Sequence, residues 1–284
     1  MAKLELKNVN YTYGKNSPFE KKALQNINVS IEKGSITGII GHTGSGKSTL
    51  VRMMNGLLTP DSGEVLLDGI DINADKKKLA SVMCRVGLVM QYPEYQLFDE
   101  TVEKDISYGP KNMGLSGDEI KERVMEAASF TGIPEALLER SPFDLSGGQK
   151  RRVAIAGILA MRPEVIVLDE PAAGLDPQGR KEILGGLVEY RNNTGTAIII
   201  VSHNMEDMAS YCDNIIVLKD SEIAFSGTPG EVFSRRKELE ENGLDVPDTI
   251  KLSDELRARG VPVPYDVCTP ERLSQVVSDL LNLN

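Results

Sequence analysis

Gly41-His42-Thr43-Gly44-Ser45-Gly46-Lys47-Ser48-Thr49 stands between a short apolar run, Ser35–Ile40, and a stretch of helical spacing from about Lys47 to Leu57. Strand, glycine-rich turn and helix in that order make a phosphate-binding loop. Glycines let backbone N–H groups turn inward around a β-phosphate, and the helix start adds the positive end of its dipole. Lys47 brings a fixed positive charge to the β- and γ-phosphates, and Ser48 a hard hydroxyl oxygen for Mg²⁺. All nine residues are candidates for nucleotide contact, although His42 fills a variable position and is assigned no chemistry of its own. The bland alternative is a glycine-rich turn that precedes a helix by chance, and the complete motif argues against it. The loop specifies a nucleoside triphosphate but not what is done with it.

Outward from the loop, other apolar runs end in chemistry. Val165–Leu168 runs into Asp169-Glu170, Ala197–Val201 into Ser202-His203, and Val86–Met90 into Gln91. Buried parallel strands deliver such groups to the carboxyl edge of one sheet, beside the phosphate loop. Asp169 is expected to hold Mg²⁺ through its water shell, and Glu170 to orient or deprotonate an attacking water. His203 can donate to the γ-phosphate and that water, and the Gln91 amide oxygen can complete the metal shell. Taken singly, two acids ending a strand, a lone histidine or a lone glutamine are usually structural. Their shared placement favours function.

The chain as a whole reads as alternating α/β. Leu4, Leu6, Leu24, Ile27, Val29 and Ile31 suggest a small antiparallel sheet near the start. Thr101–Arg140 reads as helical, punctuated at Gly109-Pro110, Gly114 and Gly132-Ile133-Pro134, with further helices over about Gly148–Met161 and after Pro177 and Asn204. The expectation is a mainly parallel sheet with helices on both faces, spanning residues 1–229 with a helical subdomain at about 92–162. Past Thr228 the texture changes to the charged SRRKELEENG, the proline-bearing VPVPYDV and a closing amphipathic helix, Pro270–Leu281. Residues 230–284 therefore read as a smaller C-terminal extension.

Composition narrows the partners. A net charge of −10 argues against nucleic acid or anionic lipid head groups as the main partner. No apolar run reaches the ~18 residues that span a bilayer. MAKLELKNVN lacks the layout of a secretion signal, and Cys84, Cys212 and Cys268 are scattered without metal-ligand spacing, which fits a reduced cytosol.

Leu145-Ser146-Gly147-Gly148-Gln149 is a second anion site, with a serine and two glycines at a helix start. One nucleotide has no use for two unrelated cradles in one small domain. The simplest geometry is a head-to-tail dimer in which this corner caps the γ-phosphate held by the other subunit. The alternative is an ordinary helix cap with flexible glycines. With this motif in place the chain resembles the ATP-binding-cassette (ABC) ATPases, P-loop NTPases, across about residues 3–240. The features that match in family order are Tyr13, the phosphate loop, Gln91, the Leu145–Gln149 motif, Asp169-Glu170, Gly174-Leu175-Asp176 and His203. The resemblance implies that Tyr13 stacks on adenine, that Ser146, Gly147, Gly148, Gln149 and Asp176 act in trans, and that Asp176 lies at the dimer interface.

Within that family the chain is similar to the ATPase subunits of energy-coupling factor (ECF) transporters, which import vitamins or transition-metal ions. Three stretches carry the likeness: Met90–Phe98, which resembles the second of two ATPase types, Gly148–Gly157, and Leu168–Pro177. Ala172 departs from the family's usual threonine, outside the expected contacts to phosphate, metal and water. The resemblance implies a related or identical second ATPase and a transmembrane coupling protein near Gln91–Phe98. It also implies a membrane substrate-binding subunit, a place at the cytoplasmic face of the membrane, and a C-terminal extension that fastens the ATPases together. Tyr92, Tyr95, Leu97 and Phe98 either pack under the helical subdomain or line a groove for a partner helix. The Lys150-Arg151-Arg152 run is expected on a solvated helix face. Rival readings are another ABC importer for amino acids, metals or peptides, a nucleic-acid ABC protein, and a small-molecule kinase. The interval from Lys47 to Ser146 leaves no room for the long coiled coil of many nucleic-acid relatives, and a kinase has no use for Leu145–Gln149.

Overall fold

The structure is a computed structural model and describes residues 2–74 and 79–281. Among these residues the strands form two sheets. The larger has six strands in the order β10-β9-β3-β8-β7-β6: β3 (Ile36–Gly41), β6 (Val86–Val89), β7 (Val165–Asp169), β8 (Ala197–Val201), β9 (Asn214–Lys219) and β10 (Glu222–Gly227). All neighbours are parallel except the β9–β10 hairpin. The smaller sheet is antiparallel, in the order β2-β1-β4-β5, from β1 (Ala2–Tyr13), β2 (Lys21–Glu32), β4 (Ser62–Leu67) and β5 (Ile70–Asp71).

The parallel strands are apolar throughout because both faces are covered. Successive side chains enter opposite cores, as the two-residue period of a strand requires. Ile166, Leu168, Ile198 and Ile200 join one core, whereas Val165, Val167, Ile199 and Val201 join the other. The second core also holds Leu4, Leu6, Leu24 and Ile27 of the small sheet and Leu50 and Met53 of α1 (Lys47–Met54). The first is closed by helices. After α2 (Leu79–Arg85) come α3 (Val102–Asn112), α4 (Gly117–Phe130), α5 (Gly147–Leu159), α6 (Pro177–Thr194) and α7 (Met205–Tyr211).

Two expectations need correction. Gly109-Pro110 does not break the helical region, because α3 runs through Pro110. Val102, Ile106 and Pro110 share its buried face, so burial outweighs the roughly 3 kcal/mol that an interior proline costs. Strand β10 is the second, since no pattern in the sequence predicts it. Its hairpin turns on Asp220 and Ser221, both with positive φ (46° and 71°), where asparagine–glycine is the usual signal. Ser221 is braced by donating from its hydroxyl to the Lys22 carbonyl and from its N–H to the Ser45 carbonyl.

Beyond β10 the regular elements among the described residues are helices, α8 (Pro229–Phe233), α9 (Arg236–Glu241), α10 (Asp248–Ala258) and α11 (Pro270–Leu280). Val232, Phe233, Leu239, Val246 and Ile250 join the helix-side core, while Val263, Val267 and Leu273 form a small cluster of their own. Helix α11 buries Leu273, while Leu280 at its end and the capping Leu281 are exposed.

Candidate functional site

Four parallel strands end at one edge. Strand β3 runs into the phosphate loop, β8 into Ser202-His203, β7 ends at Asp169, and β6 leads to Gln91, which is exposed. Pairing of Asp169 with Val201 sets the carboxylates beside the histidine.

The loop closes tightly over the start of α1. Lys47 is buried and donates from Nζ to the carbonyls of Gly41 (2.6 Å) and His42 (3.0 Å). Burial pushes its ammonium below the usual lysine range, against the pull of Asp169 and Glu170. Gly46 has φ of 109°, and a Cβ there would sit 2.4 Å from the Ala23 carbonyl oxygen, so no other residue fits. Thr43 and Gly44 are exposed on the loop crest, while the Ser45 hydroxyl is buried with no hydrogen-bond partner among the described residues. His42 holds the Thr43 carbonyl through Nδ1 at 2.9 Å and lies 3.7 Å from Asp220 through Nε2. A cavity of about 160 Å³ opens between Tyr13, Gly44, Lys47 and Thr49. The Tyr13 hydroxyl is 3.3 Å from the Thr49 hydroxyl, and its ring stands edge-on to Tyr11.

Across the loop, Ser48 donates to Asp169 Oδ2 at 3.4 Å. Burial raises the Asp169 carboxyl above its ordinary range, and Lys47 and Ser48 hold it down. Glu170 departs from strand geometry with φ of 55°, a left-handed backbone costing about 1–3 kcal/mol that turns its side chain into the site. Its N–H donates to the Val201 carbonyl at 2.9 Å. Burial first, and then the Asp169 charge, push its carboxyl up to about 7. Glu170 Oε1 makes no hydrogen bond among the described residues and faces His203 Nε2 at 3.5 Å. Burial and the nearby Lys47 lower the His203 pKa below its ordinary value. An unpartnered carboxylate oxygen, neutral-range in its titration and next to an imidazole, is equipped to accept a proton.

The donor set also suits a magnesium nucleotide. Glycines leave room where side chains would clash, and Ser48 and Asp169 present hard oxygens side by side. Among the described residues no cluster of three or more His, Cys, Asp or Glu forms a metal cage.

The structure does not gather every candidate at this edge. Ser146 caps α5, accepting from the Gln149 N–H at 3.3 Å while Gln149 Oε1 accepts from the Ser146 N–H at 3.0 Å. Asp176 caps α6 by accepting from the Gly179 N–H at 2.6 Å. Gly148 and Leu175 adjoin, so Ser146–Gln149 and Gly174–Asp176 share one surface. Helix α5 packs on α3, α4 and the single turn Pro93–Gln96.

The Lys150–Arg152 run is not a solvated face. Arg151 is 4% exposed and pairs with Glu94, and Arg152 reaches the Thr131 carbonyl and Glu182. No local sequence signal marks Glu94 as its partner. The loop after Gln91 divides its bulky residues. Leu97 is buried, whereas Tyr92, Tyr95 and Phe98 are 53%, 84% and 58% exposed. Phe98 packs edge-on to Tyr108 at the rim of an apolar cavity of about 460 Å³, lined also by Val89, Leu97, Ile158 and Met161.

The sequence model of the ABC transporter family matches residues 24–173. The energy-coupling factor transporter ATP-binding protein EcfA2 of Caldanaerobacter subterraneus subsp. tengcongensis is 53% identical over 272 residues, covering 96% of this chain and 95% of the relative. The protein of the same name from Clostridium perfringens is 48% identical over 282 residues, covering 99% of each. Among solved structures, cbiO1 from Clostridium perfringens, part of the ABC transporter complex cbiONQ, superposes with a TM-score of 0.76 at 42% identity. That match covers 84% of this chain and 94% of that one. The dimeric ATP-binding cassette MJ0796 bound to ADP and Pi gives 0.72 at 31% identity, covering 80% and 98%. The phosphate loop with its adjoining carboxylates and these relatives agree: the chain belongs to the ABC transporter family, among the ATP-binding proteins of energy-coupling factor transporters.

Proposed function

We propose that this chain hydrolyses ATP as the motor subunit of an energy-coupling factor transporter, importing a vitamin or transition-metal ion, in a head-to-tail dimer with a second ATPase. The observation that carries the reading is Glu170. Its Oε1, which makes no hydrogen bond among the described residues, stands beside His203 and within the field of Lys47 and Asp169, where water would attack a γ-phosphate. Lys47 exchanges its carbonyl contacts for phosphate oxygens, and the loop N–H groups and the α1 dipole hold the β-phosphate. Tyr13 offers its ring to the adenine. Ser48, Asp169 and Gln91 would hold Mg²⁺, which supplies charge neutralisation on the phosphates. Glu170 takes the proton of the attacking water, and His203 steadies that water and the γ-phosphate.

The second half of the site comes from the neighbour. Gly147 has no positive φ, and a Cβ there would meet nothing within 4 Å among the described residues, so none of them demands glycine. A group from outside explains the bare helix start, and the terminal phosphate held by another subunit is the anion that suits it. Shared contacts of Ser146, Gly147, Gly148 and Gln149 to that phosphate then make ATP the glue between subunits. A full reversal of an open–closed equilibrium needs a difference of about 5.5 kcal/mol. Hydrolysis removes the bridge, and Asp176 on the same surface links the two sites.

The apolar cavity beside Phe98 and Tyr108 is suited to a short helix of a transmembrane coupling protein, in complex with a membrane substrate-binding subunit. The cytoplasmic face of the membrane, where the chain is held by its partners, is the location that its likeness to ATP-binding proteins of energy-coupling factor transporters supports. Among the described residues no helix is long and apolar enough to cross a membrane. Residues 230–284 serve as an extension that stabilises the ATPase pair, with the exposed leucines of α11 available for the contact. Replacing Glu170 by Gln tests the core of this reading. Turnover is expected to fall to background while ATP-bound dimers accumulate in light scattering, and near-parental hydrolysis would overturn it.

A further inference from the structure

Arg151 reaches in two directions from the helix headed by Ser146. Nε and Nη2 donate to Glu94, at 3.2 Å to Oε2 and 3.1 Å to Oε1, and Nη1 donates to the Ala173 carbonyl. Glu94 belongs to the turn Pro93–Gln96, which follows Gln91. Ala173 belongs to the turn that follows Glu170, and its own N–H donates to the Glu170 carbonyl at 3.3 Å. An unbroken hydrogen-bonded path therefore runs from Glu94 through the Arg151 guanidinium and Ala173 to the backbone of Glu170, the residue held with φ of 55°.

Such an ion pair is a poor way to gain stability. Desolvation of two charges offsets most of their attraction, and a well-packed apolar side chain fills the same space at no such cost. What the guanidinium adds is a rigid planar fork able to hold several acceptors at fixed angles. We propose that Arg151 is a positioning residue for ATP hydrolysis: it locks the segment after Gln91 to the turn that presents Glu170, so that both move together with α5. A displacement at the cavity beside Phe98 then reaches the attacking-water position without crossing the phosphate loop. The inference rests on the roles proposed above for Gln91 and Glu170.

The test compares steady-state hydrolysis by Arg151→Met, Arg151→Lys, Glu94→Gln and the Arg151→Met/Glu94→Gln double variant, with Glu170→Gln as a control. Each is assayed as the full chain with its partner ATPase, per occupied nucleotide site. Arg151→Met is expected to lower kcat about tenfold with KM for ATP within about twofold, because the phosphate cradle is untouched. Glu94→Gln keeps an acceptor and should lose less, and the double variant should be no slower than Arg151→Met alone, as residues in one unit are not additive. Lysine cannot span both acceptors, so Arg151→Lys should keep the melting temperature and still lose kcat; it carries the test if Arg151→Met does not fold. Parental kcat per occupied site in Arg151→Lys, or multiplicative losses in the double variant, would overturn the proposal. If Glu170→Gln abolishes turnover while the Arg151 variants run at full rate, only this inference falls. If Glu170→Gln itself retains turnover, the reading of the site falls.

Discussion

Replacing Glu170 by Gln should stabilise the ligand-free fold while abolishing its chemistry, and the gain should depend on pH. In the folded chain burial and Asp169 raise the Glu170 carboxyl from an ordinary 4.5 to about 7. Between these values the unfolded chain has released the proton while the folded chain keeps it. Stability must therefore fall as pH rises through that window and level off above it. At 1.36 kcal/mol per pH unit the ceiling is about 3 kcal/mol, and the 12% exposure of the side chain trims this only modestly. Glutamine has the same shape and no charge to bury. In urea titrations of nucleotide- and magnesium-free protein, the variant's advantage should be under about 1 kcal/mol at pH 5 and approach about 3 kcal/mol by pH 8. An advantage constant across pH, or a variant less stable than its parent at pH 8, would refute the claim that a buried, strained carboxylate waits in the site.

Other outcomes follow from single contacts. Lys47→Ala should weaken ATP binding at least about tenfold by calorimetry, since it removes the only cation that the loop wraps with its own carbonyls among the described residues. Gly147→Ala should leave the melting temperature unchanged, as none of the described residues lies within 4 Å of the added methyl. Hydrolysis by the ATPase pair should nevertheless fall, and an unchanged rate would remove the trans contact from the account. Phe98→Asp, which puts a charge at the rim of the apolar cavity, should abolish co-purification with a transmembrane partner, and full recovery of that partner would exclude the cavity as its seat.

Much of this was legible because it is local. The strand–loop–helix of the phosphate cradle and the wholly apolar runs ending at Asp169 and Val201 announce a parallel sheet and its carboxyl edge. Pro110 misled because the packing that retains it comes from the other residues of its buried face. Strand β10 was hidden by an aspartate–serine turn braced by Lys22 and Ser45, both distant in sequence. Arg151 looked like one of three solvated charges, because its acceptors lie on two other segments. The left-handed backbone of Glu170 has no sequence signature, since it depends on the turn closed by Ala173.

The measurement that bears most directly on the whole account is hydrolysis per chain as a function of dilution, with and without a second ATPase, be it another copy or a related cassette. Activity should vanish as the chain becomes monomeric and return on adding the second cassette. An isolated monomer that turns over ATP at the full rate would contradict it.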